Sequence, residues 1–116
     1  MKKKVFCFDL DNVICNTKKN NYKLSKPNTK AIKLINDLYN EGYYIKIFTA
    51  RYMGRSNDNI LKASKLGLKL TIKQLKLWKI QYHSLIMGKP SYDLFVDDKA
   101  YGYNSVWIKD LRRKYL

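Results

Sequence analysis

The chain has 116 residues, a length typical of one domain, and 46% of them are hydrophobic. This is enough to bury a core and excludes a disordered chain. The formal net charge is +15, but only four of the 24 basic residues are Arg, the usual residue for bidentate contacts to phosphates and bases. We therefore interpret the charge mainly as compositional bias and keep an anionic macromolecule as an open alternative.

Two further features bound the class of protein. No apolar run reaches the roughly 18 residues that a membrane span needs, so no membrane partner is expected. The cysteines, Cys7 and Cys15, have no histidine partners nearby that would suggest a zinc site, and they indicate reduced thiols in a cytoplasmic protein.

The first half of the chain predicts two strands and one helix. The apolar run Val5–Phe8 is typical of a strand buried on both faces. The polar stretch 16–26 has no periodicity and predicts a loop or flap. Asn28 or Thr29 then caps a helix that ends at Gly42, and residues 43–48 predict the second strand.

The second half predicts two short helices and three strands. The first helix closes at Gly67 and the second is capped by Thr71. The predicted strands cover residues 84–87, 92–96 and 104–108, and the basic tail 112–116 is expected to fray. The alternation of strands and helices predicts an α/β fold, with a Rossmann-like parallel sheet, helices on both faces, and one domain over residues 1–116.

Chemically active residue types follow four of the predicted strands. They are Asp9 and Asp11, Thr49, Lys89, and the pair Asp97 and Asp98. In open parallel sheets, ligands bind outside the carboxyl ends of the strands. Neighbouring carboxylates repel one another unless a cation lies between them, and oxygen ligands favour Mg²⁺.

These segments resemble the four motifs of the haloacid-dehalogenase (HAD) superfamily. VFCFDLDNV (5–13) is similar to the first motif, FT (48–49) to the second, GKP (88–90) to the third and FVDD (95–98) to the fourth. The resemblance covers residues 4–108. The intervals between motifs leave no room for a separate lid domain, so the chain resembles the capless members, and more loosely small bacterial phosphatases associated with capsular or surface sugars.

The resemblance implies a Mg²⁺-dependent phosphatase with defined residue roles. Asp9 is expected to be the nucleophile that forms an aspartyl-phosphate. Asp11 is expected to protonate the leaving oxygen and then activate water. Thr49 and Lys89 are expected to hold the phosphoryl oxygens.

The same resemblance implies a metal site and a further substrate contact. Mg²⁺ is expected at the carboxylates of Asp9 and Asp97 and the backbone carbonyl of Asp11. Asp98 is either a further metal ligand, directly or through water, or a residue that orients Lys89, or the cap of a turn or helix. Arg51, two residues beyond Thr49, is suited to a second anionic group on the substrate.

The substrate and the activity class stay open at this level. A small sugar phosphate is the favoured substrate, and a nucleotide or polynucleotide end is the alternative. A binding module of the same fold without turnover is a third reading, and the intact pair Asp9 and Asp11 weighs against it. An oligomer, with a neighbouring subunit as lid, is compatible with a capless site.

Overall fold

The computed structural model describes residues 4–116, so residues 1–3 of the predicted domain lie outside the described residues. The elements in chain order are β1 (Val5–Phe8), β2 (Cys15–Asn16), β3 (Lys26–Pro27), α1 (Thr29–Asn40), β4 (Tyr44–Thr49), α2 (Ile60–Leu77), β5 (Ser84–Met87) and α3 (Trp107–Tyr115). Two single 3₁₀ turns, Tyr22–Leu24 and Gly54–Ser56, lie in the connections. None of the helices in this described range combines the length and apolarity that a bilayer span requires.

A parallel sheet with the strand order β1-β4-β5 forms the centre of the fold. Phe8 of β1 lies opposite Ile47 of β4, and Thr49 at the end of β4 lies opposite Met87 of β5. All three strands therefore end at the same edge of the sheet. The helices flank this sheet, which confirms the predicted α/β fold with a parallel sheet.

The two faces of the sheet differ in exposure. Ile45, Ile47 and Thr49 alternate along β4 and are completely buried. On the opposite face Cys7 is exposed, and so is Val5 at 51%. The prediction that Val5–Phe8 is buried on both faces is therefore wrong, because only alternate residues of β1 enter the core.

The helix α1 supplies the largest share of the core. Asn28 caps it, since its side-chain oxygen accepts the backbone N–H of Ala31 at 3.2 Å. The inward face of α1 is completely buried at Ala31, Leu34, Ile35 and Leu38. This face packs on the buried side of the sheet, which confirms both the predicted helix and its cap.

The two short helices predicted after residue 59 are one continuous helix, α2. Gly67 lies inside it and does not end it, and a Tyr52 ring packs there so closely that a Cβ at position 67 would lie 2.2 Å from its Cδ2. Thr71 does not cap it either. Its hydroxyl donates to the carbonyl of Gly67 at 2.8 Å, one turn earlier in the same helix.

The strand predicted at Tyr92–Val96 is wrong, because no regular element covers these residues. Tyr92 and Phe95 both place their rings near the ammonium of Lys89, at 5.2 and 5.0 Å. Residues three apart point to opposite sides of a strand, so the chain must bend here for both rings to reach the same group. Leu94 and Val96 are left 80% and 86% exposed.

The strand predicted at residues 104–108 and the frayed tail are also wrong, because α3 begins at Trp107 and continues to Tyr115. The buried Trp107 and the half-buried Tyr115 are eight residues apart, which places them on one face of a helix. Tyr115 packs edge-on against Phe6 at 4.8 Å. Arg112 forms an ion pair with Asp37 of α1 at 2.8 Å, which helps to hold the helix in place.

Candidate active site

Asp9 and Lys89 meet at the edge where the strands end. Asp9 follows β1 directly, and its Oδ1 accepts the backbone N–H of Leu10 at 2.9 Å. Its Oδ2 lies 3.5 Å from Nζ of Lys89, while its side chain remains 36% exposed. The backbone N–H of Lys89 donates to the carbonyl of Thr49 at 3.1 Å. This bond continues the pairing of β4 and β5 and carries Lys89 to the end of β1.

Burial and charge act in opposite directions on this pair. Burial raises the pKa of Asp9 above its ordinary value of 3.8, while the charge of Lys89 and the N–H of Leu10 oppose that rise. Burial lowers the pKa of Lys89, but a hydrogen bond with Tyr92 and the charge of Asp9 outweigh it, so the net pKa of Lys89 is raised. The ammonium is therefore kept charged beside a carboxylate that is only partly desolvated.

Asp11 is held much more firmly than Asp9. Its Oδ2 accepts from Nε of Arg51 at 3.0 Å, and its Oδ1 accepts from Nη2 of the same guanidinium at 3.0 Å. The hydroxyl of Thr17 also donates to Oδ1. A planar fork of this kind fixes both the distance and the plane of a carboxylate. The side chain of Asp11 is 19% exposed, which leaves it access to the site.

Thr49 lies between these groups at the end of β4. Its side chain is completely buried, and its Oγ1 accepts the backbone N–H of Arg51 at 3.1 Å. This bond shapes the turn that directs Arg51 toward Asp11. Contact between the Thr49 hydroxyl and a phosphoryl group would require that hydroxyl to become accessible.

Arg51 is turned into the protein instead of toward the open surface. The residue is 1% exposed, and Nη1 donates to the side-chain oxygen of Gln74. Nη2 also donates to Oγ of Ser25 at 3.2 Å, and the guanidinium lies 5.0 Å from the centre of the Tyr22 ring. The prediction that Arg51 binds a second anionic group of the substrate finds no support in this geometry.

The sequence did not predict four residues that surround Arg51 in the site: Thr17, Tyr22, Ser25 and Gln74. The first three belong to the polar stretch that was predicted as a flap, whose ends are joined by pairing between β2 and β3. Gln74 belongs to α2, where Ala63, Gly67 and Thr71 precede it on the inward face. This stripe of small and polar residues is the one signal that could have indicated a polar contact surface.

The two acids of the fourth motif lie apart from this group. Asp97 and Asp98 are exposed, and Oδ1 of Asp97 accepts the backbone N–H of Lys99 at 2.9 Å, as in a turn. Asp97 is near enough to Cys7 to raise the pKa of its thiol, although burial is the larger cause. Within residues 4–116 no three Asp, Glu, His or Cys side chains form a group that could hold a metal. The residues expected to bind Mg²⁺ therefore do not assemble a complete site in this arrangement.

Comparisons with known proteins identify the fold but show no family. No protein-family model matches the chain, and no curated protein matches it. Among solved structures, a structural-genomics target from Vibrio cholerae superposes with a TM-score of 0.78 at 24% identity, over 97% of this chain and 98% of that one. The two chains therefore share their architecture along nearly their full lengths.

Larger proteins contain a similar unit. A chain of the Pnkp1/Rnl/Hen1 complex superposes with a TM-score of 0.54 at 16% identity, and a chain of the Pnkp1/Rnl/Hen1 RNA repair complex with a TM-score of 0.50 at 17% identity. Each match covers 98% of this chain but only 34% and 32% of the larger one. At these identities the comparisons establish a shared α/β fold.

Proposed function

We propose that the protein is a phosphatase that hydrolyses a phosphomonoester, a sugar phosphate in the favoured case, through an aspartyl-phosphate on Asp9. The observation that carries the proposal is the convergence at one sheet edge. Asp9 lies there with a lysine ammonium 3.5 Å from its Oδ2, and Asp11 follows two residues later in a fixed orientation. The resemblance of the surrounding motifs to HAD phosphatases supports the same roles.

The first half of the reaction transfers the phosphoryl group to Asp9. An ionised oxygen of Asp9 attacks phosphorus and the bond to the leaving oxygen breaks. Asp11, which enters this step protonated on one oxygen while the other still accepts from Arg51, gives the leaving oxygen its proton. Lys89 favours the ionised form of Asp9 and attracts the phosphoryl oxygens. Thr49 is proposed to donate to the same oxygens once its hydroxyl is accessible.

The second half releases phosphate. Asp11, now ionised, accepts a proton from water while that water attacks phosphorus, and the bond between phosphorus and Asp9 breaks. Both carboxyls return to their starting states, so one water is consumed for each ester bond. The half-exposed carboxylate of Asp9 gives water access to this step.

A Mg²⁺ requirement belongs to the proposal. The proposed ligands are oxygen atoms, which suit this ion: the Asp9 carboxylate, the backbone carbonyl of Asp11, and Asp97, with Asp98 as a direct or water-mediated ligand. Asp97 and Asp98 would have to join the other two when the ion binds. Mg²⁺ in proteins usually keeps several waters, so few protein ligands suffice. When bound, it would supply positive charge that offsets repulsion between the acids and an anionic ester.

The direct test measures phosphate release from an aryl phosphate and from panels of sugar phosphates and nucleotides, with Mg²⁺ present or chelated. Wild-type protein should release phosphate only with Mg²⁺, and Asp9→Asn should lose at least about a thousandfold in rate. Asp93→Asn is the matched control, since Asp93 is an exposed acid on the same loop as Asp97. A folded wild-type protein that releases no phosphate from any of these compounds with Mg²⁺ would contradict the proposal.

A polynucleotide end is the second candidate substrate, and one surface favours it. The helix α2 carries five lysines and no acid, and all five are exposed: Lys62, Lys65, Lys69, Lys73 and Lys76. The name of one structural neighbour also refers to RNA repair. If an oligonucleotide 3′- or 5′-phosphate is the substrate, KM should rise steeply with salt, because lysine contacts to the strand release counterions. A sugar phosphatase should show only a modest salt effect.

A further inference from the structure

Gln74 is a buried amide that joins two parts of the site to α2. It is 7% exposed. Its Oε1 accepts from Nη1 of Arg51, and its Nε2 donates to the backbone carbonyl of Tyr22 at 2.6 Å. Both ends of the amide are therefore used. A buried amide whose oxygen and nitrogen are both hydrogen-bonded fixes the positions of its partners.

The guanidinium of Arg51 has little freedom in this setting. Along one edge of the planar guanidinium, Nε and Nη2 donate to Asp11. At another edge, Nη1 donates to Gln74. Thr71 is a weaker second acceptor for Nη1 at 3.4 Å. Removal of the Gln74 amide would allow the guanidinium to rotate out of the plane of the Asp11 carboxylate, and the two-point contact would then be lost.

We propose that Gln74 is a positioning residue for the proton transfer by Asp11, acting through Arg51. The inference rests on the proposed function, in which Asp11 protonates the leaving oxygen. Gln74 touches neither the ester nor Asp9 and forms no covalent bond. Its contribution is to hold the acid where the leaving oxygen departs, and a misplaced acid transfers its proton slowly.

The test uses the different needs of two leaving groups. A sugar alkoxide must be protonated as it leaves, whereas a nitrophenolate leaves readily without a proton. Gln74→Met, which is close in shape but forms no such hydrogen bonds, should lower kcat/KM for a sugar phosphate such as glucose 6-phosphate by about tenfold or more. For 4-nitrophenyl phosphate kcat/KM should stay within about threefold, because attack by Asp9 is untouched.

Matched variants separate positioning from general damage. Gln81→Met makes the same substitution at an exposed glutamine outside the site and should change neither rate. Arg51→Lys keeps the charge but not the planar fork, so it should show the same selective loss. Since Gln74 acts through Arg51, the double variant should be no slower than Arg51→Lys alone. If Gln74→Met fails to fold, Gln74→Asn carries the same test, because its shorter amide cannot reach both partners.

The outcomes distinguish this inference from the function beneath it. A selective loss on the sugar phosphate, together with the non-additive double variant, supports the positioning role. An equal loss on both esters, no loss on either, or additive losses in the double variant would overturn it while leaving the phosphatase intact. No phosphate release by folded wild-type protein with Mg²⁺ from these two esters or from any other compound of the panel would contradict the proposed function itself.

Discussion

The two sides of the candidate site hold their acids in different ways. In the buried half, formed by Asp11, Arg51, Gln74 and residues 17–25, Asp11 is fixed by a guanidinium that is itself fixed by α2. In the open half, formed by residues 90–106, Asp97 and Asp98 are exposed, and Oδ1 of Asp97 accepts, within the described part of the chain, only the nearby backbone N–H of Lys99. One half is therefore organised by contacts within the protein, while the other is not, and in the proposed phosphatase Mg²⁺ and substrate would organise it.

The largest effect that we expect is on the buried half. Arg51→Met leaves Asp11 and Gln74 without their partner and should lower the free energy of unfolding by about 3 kcal/mol or more. Urea unfolding at neutral pH measures this change. Arg55→Met is the control, because Arg55 is an exposed arginine that pairs with no acid of the described residues: it donates to the carbonyl of Asn20 and lies over the rings of Tyr22 and Tyr52. Equal losses in the free energy of unfolding of the two variants would show that the buried ion pair of Arg51 with Asp11 adds no stability beyond that of an exposed arginine.

A smaller effect is expected where α2 meets Tyr52. Gly67→Ala improves helix propensity by about 1 kcal/mol, but overpacking costs about 1 to 3 kcal/mol. The new Cβ would lie 2.2 Å from the Tyr52 ring, which also packs on Tyr22. We expect a net loss of about 1 kcal/mol in the free energy of unfolding. Gly102→Ala is the control, with no atom within 4 Å of its Cβ, and a stabilised Gly67→Ala would contradict this packing.

The pH dependence of stability should reveal the raised pKa of Asp9, which lies between the two halves. Because burial raises the pKa of Asp9, the folded state binds its proton more tightly than the unfolded state does. Stability from this group is complete below its unfolded pKa and is lost as pH rises through the folded pKa. Wild-type protein should therefore lose more stability than Asp9→Asn between about pH 4 and pH 7.

The comparison of wild-type protein with Asp9→Asn isolates the titration of Asp9, because its partner Lys89 does not titrate in this pH range. Lys89 stays charged over that range, so the loss of its partner in Asp9→Asn adds a constant offset and no slope. Parallel stability curves for the two proteins, recorded by urea unfolding at several pH values, would show that Asp9 has the same pKa in the folded and unfolded states.

The smallest stability effect is expected in the open half, where a substitution should alter activity and leave the free energy of unfolding nearly unchanged. Asp97→Asn should change the free energy of unfolding by no more than about 0.5 kcal/mol, because the residue is exposed. If Asp97 completes the proposed Mg²⁺ site, the same variant should need more Mg²⁺ for half-maximal phosphate release. An unchanged Mg²⁺ requirement, with Asp93→Asn as reference, would remove Asp97 from that site.

The sequence predicted the central fold well because its signals are local. Largely apolar runs located β1, β4 and β5, and a capping asparagine located α1. The positions of Asp9 and Lys89 at strand ends predicted that they would lie close together, and their ion pair confirms this.

The remaining elements depend on contacts between distant residues. Gly67 and Thr71 carry the signals of a helix end and a helix start, but packing by Tyr52 and a bond within the helix override both. Gln74 lies 23 residues from Arg51, and a buried glutamine cannot be told from an exposed one by pattern alone. Likewise, the apolar residues 92–96 favoured a strand, but Tyr92 and Phe95 in this segment contact Lys89 and no strand forms.

The outer edge of β5 has a consequence for handling the protein in solution. Among residues 4–116, β5 pairs with β4 alone, and Ile86 on this strand is 39% exposed. An open edge of this kind is a template for association with another chain. The formal net charge of +15 opposes such encounters by repulsion between molecules, but salt screens that repulsion within about 10 Å at 0.1 M. Colloidal stability should therefore be greatest at low ionic strength and decline as salt is added.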